Sequence, residues 1–519
     1  SRSLFGLDEI MEIQKSTNLA TRWLAGVERA GNALPHPAIL FLLLTAVVVL
    51  ISALVTALGA SAVHPLSQTV ILPVNLFSST GLQLLFSDMV KNFAGFAPLG
   101  TVLVAMLGFS VAEKSGLLPV LIRGVVLVSP RALLTPAVLV AGILSHTAGD
   151  IGYVLLIPLA AMAFHSAGLH PLAGLAVCFA GVSGGFSANF LISSLDPLLA
   201  GLTQEAARIL DPQYSVGPLV NYYFMATSAV MIIGIGTLIA NKMTIPFLGR
   251  YTGDVPAPVL ERLTAIERRG LRNAGLVALA FLIVLLAGLL PEQGFLRDPA
   301  NRDVLQSPVI KGIVAVLFVF ASLTGLAYGL TVKTFTSATD VVKAMQEAIV
   351  MMAPYVVLVF FAAQFIAMFN ASNMGLIMAV HGSVMFKTAG IGPIPLMIGF
   401  ILLTCVLDLF IGSASAKWAL MAPVFVPMFM QLGISHDLTQ ASYRIADSVI
   451  NIISPLMPYL PLILAFAAKY DSKARVGTVI ALMLPYSIVF LVMWSLLLFV
   501  WMTLGWPLGP GASLSYSAN

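Results

Sequence analysis

The chain has 519 residues, of which 59% are apolar and only 9% charged, with a mean hydropathy of +0.99. A soluble domain carries about 25% charge, so this composition excludes an ordinary soluble enzyme or binding module and sets most of the chain against lipid or other buried helices. The net charge of +4 gives no argument for nucleic acid as a partner, and Cys178 and Cys405 lie in apolar stretches with no disulfide framework or metal cluster around them.

A helix needs about 20 apolar residues to cross a bilayer. In chain order, after an N-terminal segment (1–37), runs of that kind lie near 38–60, 92–113, 171–196, 217–241, 273–291, 308–332, 346–370, 440–465 and 475–505. The first run exceeds the 7–15-residue core of a signal peptide. Two further apolar regions, 132–168 and 393–433, are interrupted by small and polar residues, Ser145-His146-Thr147-Ala148-Gly149-Asp150 and Gly412-Ser413-Ala414-Ser415-Ala416-Lys417. Such breaks cannot face lipid, because their backbone groups would go unsatisfied. Each region therefore reads as a re-entrant hairpin of two half-helices. The predicted fold is an all-α polytopic membrane protein of nine transmembrane helices plus two re-entrant hairpins.

Charge placement agrees with that topology. With a cytoplasmic N-terminus, 18 of the 26 Lys and Arg residues fall on the inside, six outside, and Lys417 and Arg444 within membrane segments, as the positive-inside rule requires. Residues 242–272 read as a basic cytoplasmic linker between a first half (38–241) and a second half (273–505), and 506–519 as a periplasmic tail. The halves echo one another: Tyr153, Pro158 and Gly168 recur at one constant offset as Trp418, Pro423 and Gly433, and Asn189-Phe190-Leu191-Ile192-Ser193 is echoed by Asn451-Ile452-Ile453-Ser454. Inverted repeats with broken helices around a midplane site are the architecture of secondary transporters. No phosphate-binding loop is present, so ATP is not the expected energy source.

Ionisable groups in a span cost about 2.5–3.5 kcal/mol each at a helix centre, so each calls for a role. Arg444, Asp447 and Asn451 share one helical face through spacings of three and four. They form either a self-paired couple or a site where Arg444 receives a substrate carboxylate and Asp447 orients it or takes a proton. Asp196, before Pro197, reads as a helix N-cap at a break after Gly184-Gly185, and equally as a carboxylate for substrate or cation. Half-helix N-termini favour carboxylates. Tip oxygens of Ser145, Thr147, Ser413 and Ser415 are hard ligands of the sort a sodium ion accepts, and Asn189 and Asn451, at matching places in the repeats, can complete two such sites. No other cofactor is expected. Trp418 can stack on an aromatic ring, and Pro455 and Pro458 interrupt their span as expected around a site.

The stretches Gly181-Val182-Ser183-Gly184-Gly185-Phe186-Ser187-Ala188-Asn189, Ser413-Ala414-Ser415-Ala416-Lys417-Trp418-Ala419 and Tyr443-Arg444-Ile445-Ala446-Asp447-Ser448 closely resemble the AbgT family. The resemblance implies a homodimer of nine-helix protomers with two re-entrant hairpins in the bacterial inner membrane. It implies transport of p-aminobenzoyl-glutamate, a small aromatic carboxylate, and in some members export of sulfonamides. It places the family's functional positions on Asp196, Ser415, Trp418, Arg444, Asp447 and Pro455. The nearest alternative is a carrier of the same architecture for dicarboxylates or amino acids. An ion channel needs a charged or carbonyl-lined filter that is not visible here, and an intramembrane enzyme needs a nucleophile or metal set that is equally absent from the sequence.

Overall fold

The structure is a computed structural model that describes residues 35, 37–63, 69–146, 152–193, 195–257, 262–300, 302–304, 307–454, 457 and 459–516. Helix α1 (Pro37–Ala57) leads into a small antiparallel ribbon, β1 (Ala62–Val63) paired with β2 (Val70–Ile71), and then into α2 (Ser79–Ala94), α3 (Ala97–Lys114) and α4 (Leu117–Val128). A first pair of apolar helices follows, α5 (Leu134–Ser145) and α6 (Ile157–Ser166), then α7 (Pro171–Gly184), α8 (Leu195–Ala207) and α9 (Tyr222–Ile239). Helices α10 (Ala265–Leu289) and α11 (Ile313–Val332) join this half to the next. There the same succession runs through α12 (Ala338–Ala371), α13 (Met374–Thr388), the pair α14 (Pro393–Asp408) and α15 (Ala414–Gln431), α16 (His436–Ile450), α17 (Leu460–Tyr470) and α18 (Val476–Leu504).

Six helices among the described residues are long and apolar enough to cross a membrane: α1, α9 with its continuation to Leu248, α10, α11, α12 and α18. They account for six of the nine predicted spans. The predicted span at 92–113 is the 18-residue α3, started by Pro98 after Gly95 ends α2. The two polar-interrupted spans are broken, one into α7 and α8 and the other into α16 and α17. Pro455 and Pro458, expected to break the second, lie outside the described residues. Helix α10 begins inside the stretch read as a linker, because Thr264 and Glu267 form a reciprocal capping box at its start.

A register of 265 residues relates the cores of the two halves. Pro171 and His436 open α7 and α16, Leu195 and Leu460 open α8 and α17, and Gly168 and Gly433 make the preceding turns at φ of 74° and 79°. Hydrogen bonds keep the same register: Asn189 donates to the Ile143 carbonyl, and Ser454 donates to the Asp408 carbonyl. At the centre Ser183 donates to the carbonyl of its own counterpart, Ser448, at 2.9 Å. The sequence echo of Asn189 with Asn451 is thus three residues out of step. The partner of Asn189 is Ser454, and Asn451 stands opposite Phe186.

Burial separates two kinds of helix. Every residue of α7 and of α16 is buried, whereas only 11% of the apolar window of α10 is. Leu279, Leu282, Ile283 and Val284 on α10 stand exposed, a surface that only lipid or another apolar partner covers without cost. Within the core, α5 and α7 approach closely enough that a Cβ on Gly142 would sit 2.9 Å from the Gly181 and Val182 backbone. Gly142→Val therefore forces the two helices apart. Overpacking of this kind costs about 1–3 kcal/mol, and the variant is expected to lower the melting temperature of the purified protein relative to Gly100→Ala, where nothing lies within 4 Å of the added carbon.

Candidate functional site

The broken helices bring five charged side chains into the interior. Arg444, in the middle of α16, is 3% exposed and Asp196 1%. Arg444 Nη1 donates to Asp196 Oδ1 at 2.7 Å, and its Nη2 donates to the Phe186 carbonyl at 2.9 Å, in the loop that follows α7. Asp196 lies inside the first turn of α8 rather than capping it. Its other oxygen, Oδ2, accepts from the Ser193 backbone N–H at 2.7 Å and from the Ser193 hydroxyl at 3.0 Å. The carboxylate therefore closes the broken end of α8 and holds Arg444 at the same time.

Asp447 has a different partner from the one its spacing suggested. It does not pair with Arg444. Lys417 Nζ lies 2.8 Å from Asp447 Oδ1 and is also ion-paired to Asp408 Oδ1, with Lys417 and Asp408 both fully buried. Asn451, the C-cap of α16, donates to Asp447 Oδ2 at 3.3 Å. Lys417 sits one turn into α15 and Asp408 is the last residue of α14, so the triad ties both arms of the second helix pair to α16. Asp408 was not singled out by the sequence reading, and Lys417 was only counted as an intramembrane charge. Two opposite charges nine residues apart across a polar tip are the signal that could have found them.

The hydroxyl-bearing residues divide between the two tips. Ser145 donates to the Gly142 carbonyl at 2.7 Å, and Asn189 donates to the neighbouring Ile143 carbonyl at 2.8 Å, so these two candidate cation ligands gather at the end of α5. Thr147 lies outside the described residues, as does Pro455 in the substrate set. Ser413 caps α15 by accepting from the Ala416 N–H, and its hydroxyl lies 3.3 Å from that of Ser415, both partly accessible.

Trp418 is fully buried. Its ring packs against Tyr443 with centroids 4.5 Å apart, and its N–H donates to the Thr203 hydroxyl at 2.9 Å. The bond chain goes on from Thr203 to Gln440 Oε1 (2.6 Å), from Gln440 Nε2 to Asn221 Oδ1 (2.8 Å), and from Asn221 Nδ2 to the Asp437 carbonyl (2.8 Å). It links α15, α8, α16 and the start of α9. Thr203, Gln440 and Asn221 carried no sequence signal, since polar residues of this kind are also ordinary helix-packing groups. A cavity of about 890 Å³ reaches this region at Pro197 and Gln204 and runs past Tyr214, His436 and Asp437.

A core of buried ion pairs held between broken helices is a carrier's interior, and sequence comparison names the carrier class. The model of the AbgT putative transporter family matches residues 22–516. The chain belongs to that family. It is 41% identical over 485 residues to the p-aminobenzoyl-glutamate transport protein of Escherichia coli K12, covering 93% of this chain and 95% of the relative. Two solved transporters are similar throughout. The YdaH transporter of Alcanivorax borkumensis, described as having an unusual topology, superposes with a TM-score of 0.87 at 45% identity, covering 92% of this chain and 100% of that one. MtrF of Neisseria gonorrhoeae, described as illuminating a class of antimetabolite efflux pumps, gives 0.88 at 45% identity, covering 94% and 100%. This AbgT-family chain is accordingly a multi-pass membrane transporter and not an enzyme.

Removing one partner of a buried ion pair leaves the other uncompensated, at a cost of about 3–5 kcal/mol. Asp196→Asn and Arg444→Gln are each expected to destabilise the protein, and the double variant by much less than the two combined. A thermal-unfolding double-mutant cycle that gave simple additivity would contradict the pairing.

Proposed function

We propose that this transporter is an ion-coupled secondary carrier of p-aminobenzoyl-glutamate and of related aromatic antimetabolites such as sulfonamides. It works in the bacterial inner membrane as a homodimer of nine-span protomers. In this reading the two helix pairs α5/α6 and α14/α15 are re-entrant hairpins of inverted repeats, the N-terminus is cytoplasmic and the C-terminus periplasmic.

The observation that carries the proposal is the Arg444–Asp196 pair, a guanidinium held between the broken ends of α7 and α8. An arginine presents a planar fork suited to a carboxylate. A carboxylate-bearing substrate exchanges with Asp196 for that fork, and Asp196 then keeps the Ser193 contacts that already fix it. Ser415 and Asn451 supply polar contacts near the second tip. Asp447 and Pro455 complete the proposed substrate set. The Trp418 ring meets the aromatic part of the substrate only when α15 and α16 part, because packing against Tyr443 leaves it no exposed surface. Ser145 and Asn189 at the end of α5, with Thr147 and, from the second tip, Ser413, are the proposed sodium ligands. The relative that transports p-aminobenzoyl-glutamate and the antimetabolite efflux pump of similar structure support the two substrate classes.

In proteoliposomes, labelled p-aminobenzoyl-glutamate is expected to move under an imposed sodium gradient or an imposed proton gradient, and the Asp196→Ala variant to lose that flux. Absence of flux under both gradients, in folded protein, would overturn the substrate and bring forward dicarboxylates or amino acids. A sulfonamide keeps the aminobenzene part but lacks the glutamate. Arg444→Ala should therefore cut flux of the glutamate conjugate by about tenfold or more, the worth of one charged hydrogen bond, and leave sulfonamide flux much less affected. Equal loss of both would show that the two substrates do not divide the site in this way.

A further inference from the structure

The 265-residue register gives a direct test of whether the Asp408–Lys417–Asp447 triad is a requirement of the fold. Its counterparts in the first half are Ile143, Gly152 and Val182. Gly152 and Val182 are neighbours there too: a Cβ on Gly152 would lie 2.9 Å from the Val182 side chain. Uncharged residues thus occupy the same places of the repeated frame, and the frame does not call for charge there.

The triad is also placed against its own helices. Lys417 lies in the first turns of α15, where the helix dipole disfavours a cation, and Asp408 ends α14, where it disfavours an anion. All three side chains are at most 2% exposed. Two carboxylates facing one ammonium leave a negative charge in excess, and the Arg444–Asp196 pair beside them adds none. Asn451 donates to the other oxygen of Asp447, Oδ2, and so fixes that carboxylate. Oxygens of two carboxylates facing one centre are ligands for a hard monovalent cation. The ammonium of Lys417 occupies that centre.

We propose that Lys417 is a tethered cation that fills a monovalent-cation site formed by Asp408 and Asp447. The second half therefore has a cation built in at this place, and a free coupling ion binds elsewhere. This rests on the ion-coupled reading above for its consequence, that the coupling ion does not use this site in the unaltered protein, but not for its test. Deleting the ammonium opens the site to sodium.

The experiment uses the purified full-length protein without substrate, comparing sodium chloride with choline chloride at constant ionic strength. Lys417→Ala should gain a saturable, sodium-dependent rise in melting temperature of about 2 °C or more over whatever response the unaltered protein shows. Lys417→Arg should not gain it, and the double variant Asp408→Asn with Lys417→Ala should lose it. If Lys417→Ala does not fold, Lys417→Gln gives the same comparison. A sodium response in Lys417→Ala or Lys417→Gln no larger than in the unaltered protein would overturn the proposal. So would a response of the unaltered protein that Asp408→Asn abolishes, since sodium would then reach Asp408 with Lys417 in place. Neither outcome depends on the cargo, so a failed flux assay and a failed thermal shift condemn different statements.

Discussion

Among the described residues six charged side chains are buried, and five of them, all but Asp437, are each held by an opposite charge contributed from another helix. Asp196 on α8 meets Arg444 on α16, and Lys417 on α15 meets both Asp447 on α16 and Asp408 on α14. An isolated charge in such surroundings is costly enough to neutralise or to draw in water. None of these helices can therefore shift alone, since any sliding of α16 against the second helix pair or against α8 parts an ion pair. The breaks in the helices follow from the same constraint. Arg444 takes a backbone carbonyl, that of Phe186, and Asp196 takes a backbone N–H, that of Ser193, groups that are free only because α7 stops and α8 has barely begun. The two helix ends and the two charges satisfy one another.

That mutual dependence makes the interior both rigid and divisible. Within each helix the bonds are local and survive movement. Between helices, α16 is held to its surroundings by a few strong polar links: the Arg444 pair, the Lys417 triad and the chain from Trp418 through Thr203 to Gln440. Single neutral hydrogen bonds, such as Ser183 to the Ser448 carbonyl and Tyr443 to the Ala414 carbonyl, lie among the apolar contacts around these. In the proposed reading an arriving carboxylate or cation replaces one member of a pair without leaving its partner bare, so ligands exchange against protein charges rather than adding to them. Alternating access between two packings needs such an exchange, because a change of state is driven only by the difference in what each state offers the ligand.

The sequence showed much of this in outline and less of it in detail. The broken spans were legible because Gly184-Gly185 and the polar tips cannot sit in lipid, and the register of the halves was legible in Tyr153 with Trp418 and Gly168 with Gly433. Asp196 and Arg444 stood out because a charge among apolar neighbours demands a reason. What the sequence could not show was pairing. Arg444 and Asp447 share a helical face three residues apart, yet each reaches across to another helix, since a partner on a neighbouring element lies at a distance that linear spacing does not encode. The Asn189 echo slipped by three residues for a related reason: matching residue types is a weaker guide to register than the helix starts and hydrogen bonds that define it. Trp418 was read as able to stack on an aromatic ring of the substrate, and the structure shows its ring packed on Tyr443 and its N–H bonded to Thr203.

The comparison of the two halves also bears on how an asymmetric site arises from a symmetric frame. Ser183 and Ser448 meet near the centre of the repeat, and the bonds of Asn189 and Ser454 to equivalent carbonyls show that the frame is common. Charge is not common to it. Arg444, Asp447, Asp408 and Lys417 all belong to the second half, and the first half contributes Asp196 alone to the described ion network. A frame that repeats gives two equivalent ways of tilting one half against the other, which alternating access requires. In the proposed carrier, charges that do not repeat mean that the two tilts offer a substrate different surroundings. On that reading symmetry of the backbone supplies the motion, and asymmetry of the side chains gives the motion a ligand to depend on.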